Sequence, residues 1–553
     1  MTRRSTGLRE PAASLLFGLL FACGGADGAA AARGAQEAPS ASPSAAATVA
    51  GAASWAAPIG VPAPSFGVAE EAPPPPEPWS SAATSRGFAF YYVCPSCPGA
   101  IDLLNSHGHP GHPRASIPSE VAGPAVVVLD GAFDAKVAFT ANGSAGEPVF
   151  LTSRDPSQPA RLRSLSVERG SFLIIERLWI GPRDAGDDDF GFYVAEGASH
   201  VALRRSELAG NSHRAGGVVV GSWGYRGAGS ASQIVIDGNH VHDLGDVASA
   251  DDQDAHCVTL NGSSDHVWVT HNRLERCSGD AIQVEAQRGR RASIHHVYYG
   301  ANTASANRQS GGWVKNATDV IFSQNVVHDF AASSGGPGSC FGFQYDAEYV
   351  WFLFNEGYRC SIGINIAGAD DDPGQYAYVI GNVLHDIHAP TTNPYQSGAM
   401  VIRGGTNVFV VNNTMYDVDS GVNMPPGTPN VYYTNNIIAS RRQPGTYDLY
   451  VEGRTRVDAR NNIFGANARF SEGGGTRAYL GDPKLVSPAT GDFRPQPGSP
   501  AVDAGIPSAA YEAFQSRYGL SLAVDHAGRP RPAGAAWDIG AFELTPSAAT
   551  GAR

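Results

Sequence analysis

The sequence predicts an all-β solenoid, a stack of coils made from short parallel strands, and three observations carry that prediction. First, one phrase recurs: an alternating apolar strand, then Asn, then a polar or glycine-rich turn. It stands as Gly238-Asn239-His240-Val241-His242-Asp243, Gln324-Asn325-Val326-Val327-His328-Asp329 and Gly381-Asn382-Val383-Leu384-His385-Asp386, with plainer copies at Asn272, Asn355, Asn413, Asn436 and Asn462. Second, the gaps between these Asn residues run 33, 53, 30, 27, 31, 23 and 26, the gap of 53 being about two periods. Spacing of this kind marks a stacked repeat, and the period-2 alternation of His266-Val267-Trp268-Val269 or Asp319-Val320-Ile321-Phe322 makes its unit a strand. A β-sandwich would instead repeat its strand signals every ~8–12 residues. Third, Cys257/Cys277 and Cys340/Cys360 are both 20 residues apart, and Trp268/Trp351, Asn272/Asn355 and Arg276/Arg359 repeat with them at the same offset of 83. Twenty residues is close to one coil, so the sulfurs of each pair fall on adjacent coils, where disulfides are the expected fate in an exported protein.

Asn suits such a corner for two reasons. It tolerates the left-handed backbone conformation, and its amide can bond the backbone of neighbouring coils. Stacking would therefore produce an internal Asn ladder.

The composition fits this scheme. Only 16% of the 553 residues are charged, and the 66 glycines and 38 prolines mark a turn-rich chain. The net charge of −13 argues against a broad basic face for nucleic acid. Among 39 basic residues the only lysines are Lys136, Lys315 and Lys484. No apolar run reaches the ~18 residues of a membrane span. Arg3, Arg4 and Arg9 precede the apolar run 12–22, a signal-peptide pattern that ends in Leu20-Phe21-Ala22-Cys23. That ending resembles a bacterial lipobox, although Phe21 replaces the small or β-branched residue usual there. Lipidation of Cys23 would tether the protein to a membrane; ordinary cleavage would discard Cys23. The expected organisation is a signal peptide over 1–23, an Ala/Pro-rich disordered linker over 24–86, the solenoid over 87–480, and a closing segment and tail over 481–553.

These features resemble the right-handed parallel β-helix proteins of the pectate-lyase-like class. Tyr91-Tyr92-Val93, Val126-Val127-Val128-Leu129-Asp130-Gly131 and Gly143-Ser144-Ala145-Gly146-Glu147-Pro148-Val149 look like that family's first coils. The stretch from Asp492 to Gly505 and Asp538-Ile539-Gly540-Ala541-Phe542-Glu543 are similar to its closing segment. The resemblance covers about residues 88–544 and implies the fold. The family holds lyases, hydrolases, epimerases and non-catalytic surface proteins, so the chemistry must be read from the residues.

Counting back ten residues from each ladder Asn reaches Lys315, Tyr345 and Arg403, which stacking in register would bring to one outer face. Lys, Tyr and Arg can abstract a proton next to a uronate carboxylate or hold that carboxylate. Lysine can lose its proton at accessible pH and arginine effectively cannot. Lys315 resembles the base of β-helix pectate lyases, in which calcium held by acidic side chains binds the substrate carboxylate. Asp251, Asp252, Asp254 and Asp280 are the candidate calcium ligands, and the acidic runs 187–189 and 370–372 offer the same chemistry elsewhere. The Asn-Thr-Asp and Gly-His-Gly signatures of β-helix polygalacturonases are missing from the coils. The spacing of Cys94 and Cys97, followed by His107, His109 and His112, allows a zinc site; a local disulfide with a His/Gly/Pro loop is the simpler reading. His242, His328 and His385 recur at one coil position and read as stacked turn residues rather than ligands. The expected function is a secreted or surface-anchored lyase acting on an acidic polysaccharide by β-elimination, the alternatives being a non-catalytic glycan-binding or structural module and a glycoside hydrolase.

Overall fold

The computed structural model describes residues 55–68, 87–103, 106–182, 190–213, 217–222, 230–249, 253–368, 376–426, 430–440, 443–453, 455–471 and 475–545. They form a right-handed parallel β-helix. A typical coil has three strands, as in Ser264–Thr270, Arg273–Glu275 and Ile282–Ala286. The first strands of successive coils line up in one parallel sheet running from Ala89–Val93 to Arg456–Arg460. The second and third strands build the other two faces. Because a strand alternates its side chains, each coil sends every second residue inward. Leu260, Val284, Val314, Phe343, Ile366 and Ile402 follow one another at one register position and are fully buried. Parallel sheets closed on a core in this way need no ion pairs inside, which matches the low charge of the sequence.

The Asn ladder sits at the corner between the first and second strands. Each ladder Asn after the first accepts through Oδ1 the backbone N–H of the ladder Asn one coil earlier: Asn239 on Asn272 at 2.9 Å, Asn325 on Asn355 at 3.0 Å, Asn413 on Asn436 at 3.0 Å. Its Nδ2 donates to a backbone carbonyl of the preceding coil, as Asn355 does to Phe322 at 3.0 Å. The double gap is filled by Asn302, bonded between Asn272 and Asn325 at 2.9 and 3.0 Å. One expectation needs correction: the ladder Asn is not the left-handed residue. That conformation belongs to the residue before it, Gly238, His271, Ala301, Gln324, Phe354, Gly381 and Asn412 among them. Asn is required here for its amide.

All three cysteine pairs are disulfides: Cys94–Cys97, Cys257–Cys277 and Cys340–Cys360. The first removes the zinc reading, since neither sulfur is a free thiolate. The other two pin consecutive coils at the corner between the second and third strands, and their sulfurs are buried. Closing a 20-residue loop is worth about 3 kcal/mol. The double substitution Cys340→Ala with Cys360→Ala should therefore lower unfolding stability by about that amount. Equilibrium denaturation checks this, and an unchanged midpoint would mean the coils hold without the link.

The expected linker does not run unbroken over 24–86. Residues 55–68 form a strap across the outer side of the first sheet, with Val61 and Phe66 buried. The Trp268 indole N–H donates to the Pro62 carbonyl at 2.7 Å, Ser323 Oγ to Ile59 at 2.6 Å, and Arg204, itself paired with Glu176 at 2.8 Å, to Gly67 at 2.9 Å. The strap is held because the sheet's outer side carries an aromatic column, Trp268, Tyr298, Trp351, Tyr378 and Phe409, that needs cover. The helix Ala509–Tyr518 covers the same column further along, Phe514 packing edge-on against Trp351 with ring centres 4.9 Å apart. Beyond it Arg531 and Glu543 form a fully buried ion pair at 3.0 Å. No helix among the described residues is long and apolar enough to cross a membrane.

Candidate active site

The third strands Val258–Gly262, Ile282–Ala286, Ser310–Lys315 and Ser339–Gln344 lie side by side in successive coils. Their inward residues fix which ones face out: Thr259, Gln283, Trp313 and Gly342 in one row, and Asn261, Glu285, Lys315 and Gln344 in the next. Gly342 is required where it stands. A Cβ there would meet the Trp313 ring at 2.3 Å, so glycine lets the indole lie flat and donate to Gln344 Oε1 at 3.1 Å. Lys315 Nζ is 3.5 Å from Glu285 Oε2, and the lysine side chain is 22% exposed.

Behind this row, at the corner leading into the third strands, lie His256 and Asp280, both almost fully buried. The backbone N–H of Asp280 donates to His256 Nδ1 at 2.8 Å, so that nitrogen is an acceptor and the ring proton sits on Nε2. Gly279 permits the approach, since a Cβ there would stand 2.4 Å from Nδ1. Burial holds the imidazole down to about 4, with the nearby Lys315 charge adding to the effect and Asp254 opposing it. Burial also pushes the Asp280 carboxyl up to about 7, against the pull of Lys315 and of the Gln283 amide 3.2 Å away. Near neutral pH the chain therefore keeps an uncharged imidazole and an easily protonated acid directly behind Lys315. Asp254, 3.8 Å from His256 Nε2, is 65% exposed and accepts from Gln309 at 2.8 Å.

The two buried groups have opposite pH signatures. Asp280 binds its proton more tightly folded than unfolded, so its burial costs stability as pH rises from about 4 to about 7. His256 binds its proton less tightly folded, so it costs stability as pH falls from 6.5 towards about 4. In the native chain these slopes offset each other. The variant Asp280→Asn keeps only the histidine slope, so its stability relative to the native chain should rise between about pH 4 and 6.5. Urea midpoints measured across that range test this; a constant difference between the two proteins would refute the assignment.

The structure brings together only part of the expected set. Lys315, Asp254 and Asp280 share one patch. Tyr345 is one coil on, but it aligns with Asn316 rather than Lys315, whose partner is Gln344. The turn 345–347 has one residue more than the turn 316–317, so a count from the ladder slips by one. Arg403 continues the Lys315 row after Gln344 and Ala367, which places it three coils and about 14 Å away. Its guanidinium is largely buried, and that burial lowers its pKa. Asp251, Asp252 and the acidic runs 187–189 and 370–372 lie outside the described residues. His328 and His385 stack through Tyr358 at 4.8 Å on each side, as expected, but the trio lies within second strands and not in turns; each His, His242 included, is hydrogen-bonded to the Asp that follows it. Sequence reasoning missed His256 and Glu285. His256 directly precedes Cys257 and Glu285 is two residues beyond Gln283, so aligning the third strands on the cysteine corner would have exposed both.

No family model matches the chain, and no curated relative does. Solved structures of low similarity share the architecture. The pectate lyase Pel9A is 14% identical with a TM-score of 0.36, the match covering 82% of this chain and 96% of that one. The alginate lyase AlyGC is 13% identical with a TM-score of 0.43, over 68% of this chain and 55% of that one. A lacto-N-biosidase from Eubacterium ramulus is 12% identical with a TM-score of 0.42, over 68% and 67%.

Proposed function

We propose that the chain is a polysaccharide lyase that cleaves a uronate polymer by β-elimination, with Lys315 as the base. The observation that carries this reading is Lys315 on the outward face of the central third strands, with a buried acid and an uncharged imidazole close enough to feel its charge. Burial favours protonated Asp280, and lysine, unlike arginine, can act as a base once it gives up its proton. In the reaction the proton on C5 of the uronate passes to Lys315 Nζ. The C–H electron pair becomes the C4=C5 double bond, the C4–O4 bond breaks, and the leaving oxygen takes a proton from the exposed Tyr345. Arg403 would bind a carboxylate on a different unit of the same polymer.

Calcium takes six to eight oxygen ligands. Asp254 fits as one of them, being exposed beside His256. Asp280 is buried and engaged with Gln283, so the remaining acidic donors of this reading are Asp251 and Asp252. A calcium ion there would supply positive charge to a substrate carboxylate. In the same reading the chain is exported through residues 1–23 and tethered by lipid on Cys23, and its three disulfides suit that route.

Incubation with a panel of polyuronates, followed by the ultraviolet absorbance of the unsaturated product, tests the proposal. Absorbance rising with polymer cleavage is the expected result. Cleavage without a double bond would favour a glycoside hydrolase, a reading that Asp280 as a raised-pKa acid also suits. Binding without cleavage of any polymer would favour a glycan-binding module.

A further inference from the structure

Three coils beyond Lys315, at the corner between second and third strands, a different set of groups converges. One backbone position there is left-handed in every coil from Asp243 through Arg276, Ala306, Asp329, Arg359 and Asp386 to Asp417. Where this column carries Asp, the next coil twice supplies Arg. Asp243 takes Arg276 at 2.6 and 3.0 Å, and Asp329 takes Arg359 at 2.5 and 2.8 Å. The pattern breaks at Asp386. The neighbouring Arg359 has turned its Nε and Nη2 to Asp329, and the following coil brings Asp417, a second carboxylate stacked on the first. Like charges one coil apart repel.

His388 stands between them. A ring nitrogen of His388 and one carboxylate oxygen from each of Asp386 and Asp417 lie within 4.8 Å of one another. Its Nε2 is 3.7 Å from Asp417 Oδ2, and its Nδ1 is 3.1 Å from Asp419 Oδ1. Asp419 is almost fully buried, and Gln443 fixes its Oδ2 at 2.6 Å. Its Oδ1 makes no hydrogen bond and faces the imidazole. A buried carboxylate 3.1 Å from one imidazole nitrogen, with the other nitrogen 3.7 Å from Asp417, resembles the way a metal-binding histidine is oriented: once the ring turns to make that bond, the carboxylate would hold the proton on Nδ1 and leave the Nε2 lone pair for the ion. Asp417 also lines a hollow of about 420 Å³ with Tyr416, Ser440, Gly465 and Asp482, which gives an ion access from solvent.

The geometry points to a binding site for a divalent transition metal of the zinc class, with Asp386, His388 and Asp417 as ligands and Asp419 as the orienting carboxylate. The donor set selects the class. Imidazole plus carboxylates suits Zn²⁺, whereas Ca²⁺ and Mg²⁺ prefer oxygen alone. Two carboxylates balance the dication, so the ion takes the place that arginine holds elsewhere in the column. Closing the three donor atoms onto an ion at about 2.0–2.2 Å requires only side-chain movement of the order of an ångström. The site draws on two coils and would clamp them together.

Zinc itself is the probe. Tag-free protein is stripped with a chelator, equilibrated with ZnCl₂ and dialysed, and metal content is read by mass spectrometry alongside calorimetric titration. The expected result is one zinc per chain that tenfold excess calcium does not displace, with affinity at least about tenfold weaker in both His388→Gln and Asp417→Asn. His295→Gln, in a separate histidine cluster, should bind like the native chain. Thermal unfolding without metal controls for folding of the variants, and added zinc should raise the melting temperature of the native chain but not of the two ligand variants. Failure to retain zinc, equal retention by both ligand variants, or displacement by calcium would each overturn the proposal.

Discussion

Replacing Lys315 with arginine lowers kcat on a polyuronate by about 10³-fold, within the range expected when a general base is lost. Arginine keeps the positive charge and can still pair with Glu285, 3.5 Å from the native amine. It cannot give up its proton at any pH the protein survives. The variant thus separates two roles that alanine would confuse. If Lys315 only bound the substrate carboxylate, the arginine protein would retain most of its kcat and change chiefly in KM. Steady-state rates of double-bond formation, with folding checked by circular dichroism, decide the matter. A kcat within about tenfold of native would end the base assignment.

The largest loss of stability is expected from Asn355→Ala, at the centre of the ladder. Asn355 is completely buried. Its Oδ1 accepts the backbone N–H of Asn325 at 3.0 Å, and its Nδ2 donates to the Phe322 carbonyl at 3.0 Å and to Asn382 Oδ1 at 3.0 Å. Alanine strands that N–H and that carbonyl in a dry interior, at about 1–3 kcal/mol for each unsatisfied group. It also cuts the chain of amides that polarise one another along the stack. The expected loss is about 4 kcal/mol, read as a shift in denaturant midpoint. A loss below about 1 kcal/mol would mean that water or neighbouring groups satisfy the corner without the amide.

The stacking was legible because it has a one-letter signature, Asn, at a corner where coil length hardly matters. Asn302 escaped because Ala301-Asn302-Thr303-Ala304 lacks the glycine, the histidine and the aspartate that mark other copies. Lys315 could be singled out by its rarity. Its neighbours could not, because coils lengthen and shorten in turns that differ one from the next. The single extra residue in 345–347 is enough to put Gln344, not Tyr345, opposite Lys315. His256 and Asp280 act through burial, and burial depends on strands that are distant in sequence. The strap over 55–68 hid inside Ala/Pro-rich composition because a few anchors, Ile59, Val61 and Phe66, suffice when the surface they meet is already aromatic.

That strap has a thermodynamic consequence. A plain solenoid couples each coil only to its neighbours, so it can fray from either end in steps. Here Gly60 of the strap lies so close to Phe514 and Leu522 that a Cβ on it would stand about 3 Å from both. Segments from near the two ends of the described chain thus meet over the middle coils and close a loop of more than four hundred residues. Peeling a terminal coil then strains a contact held in the centre of the array. The stack should lose its one-dimensional character and melt over its central coils as a single cooperative unit.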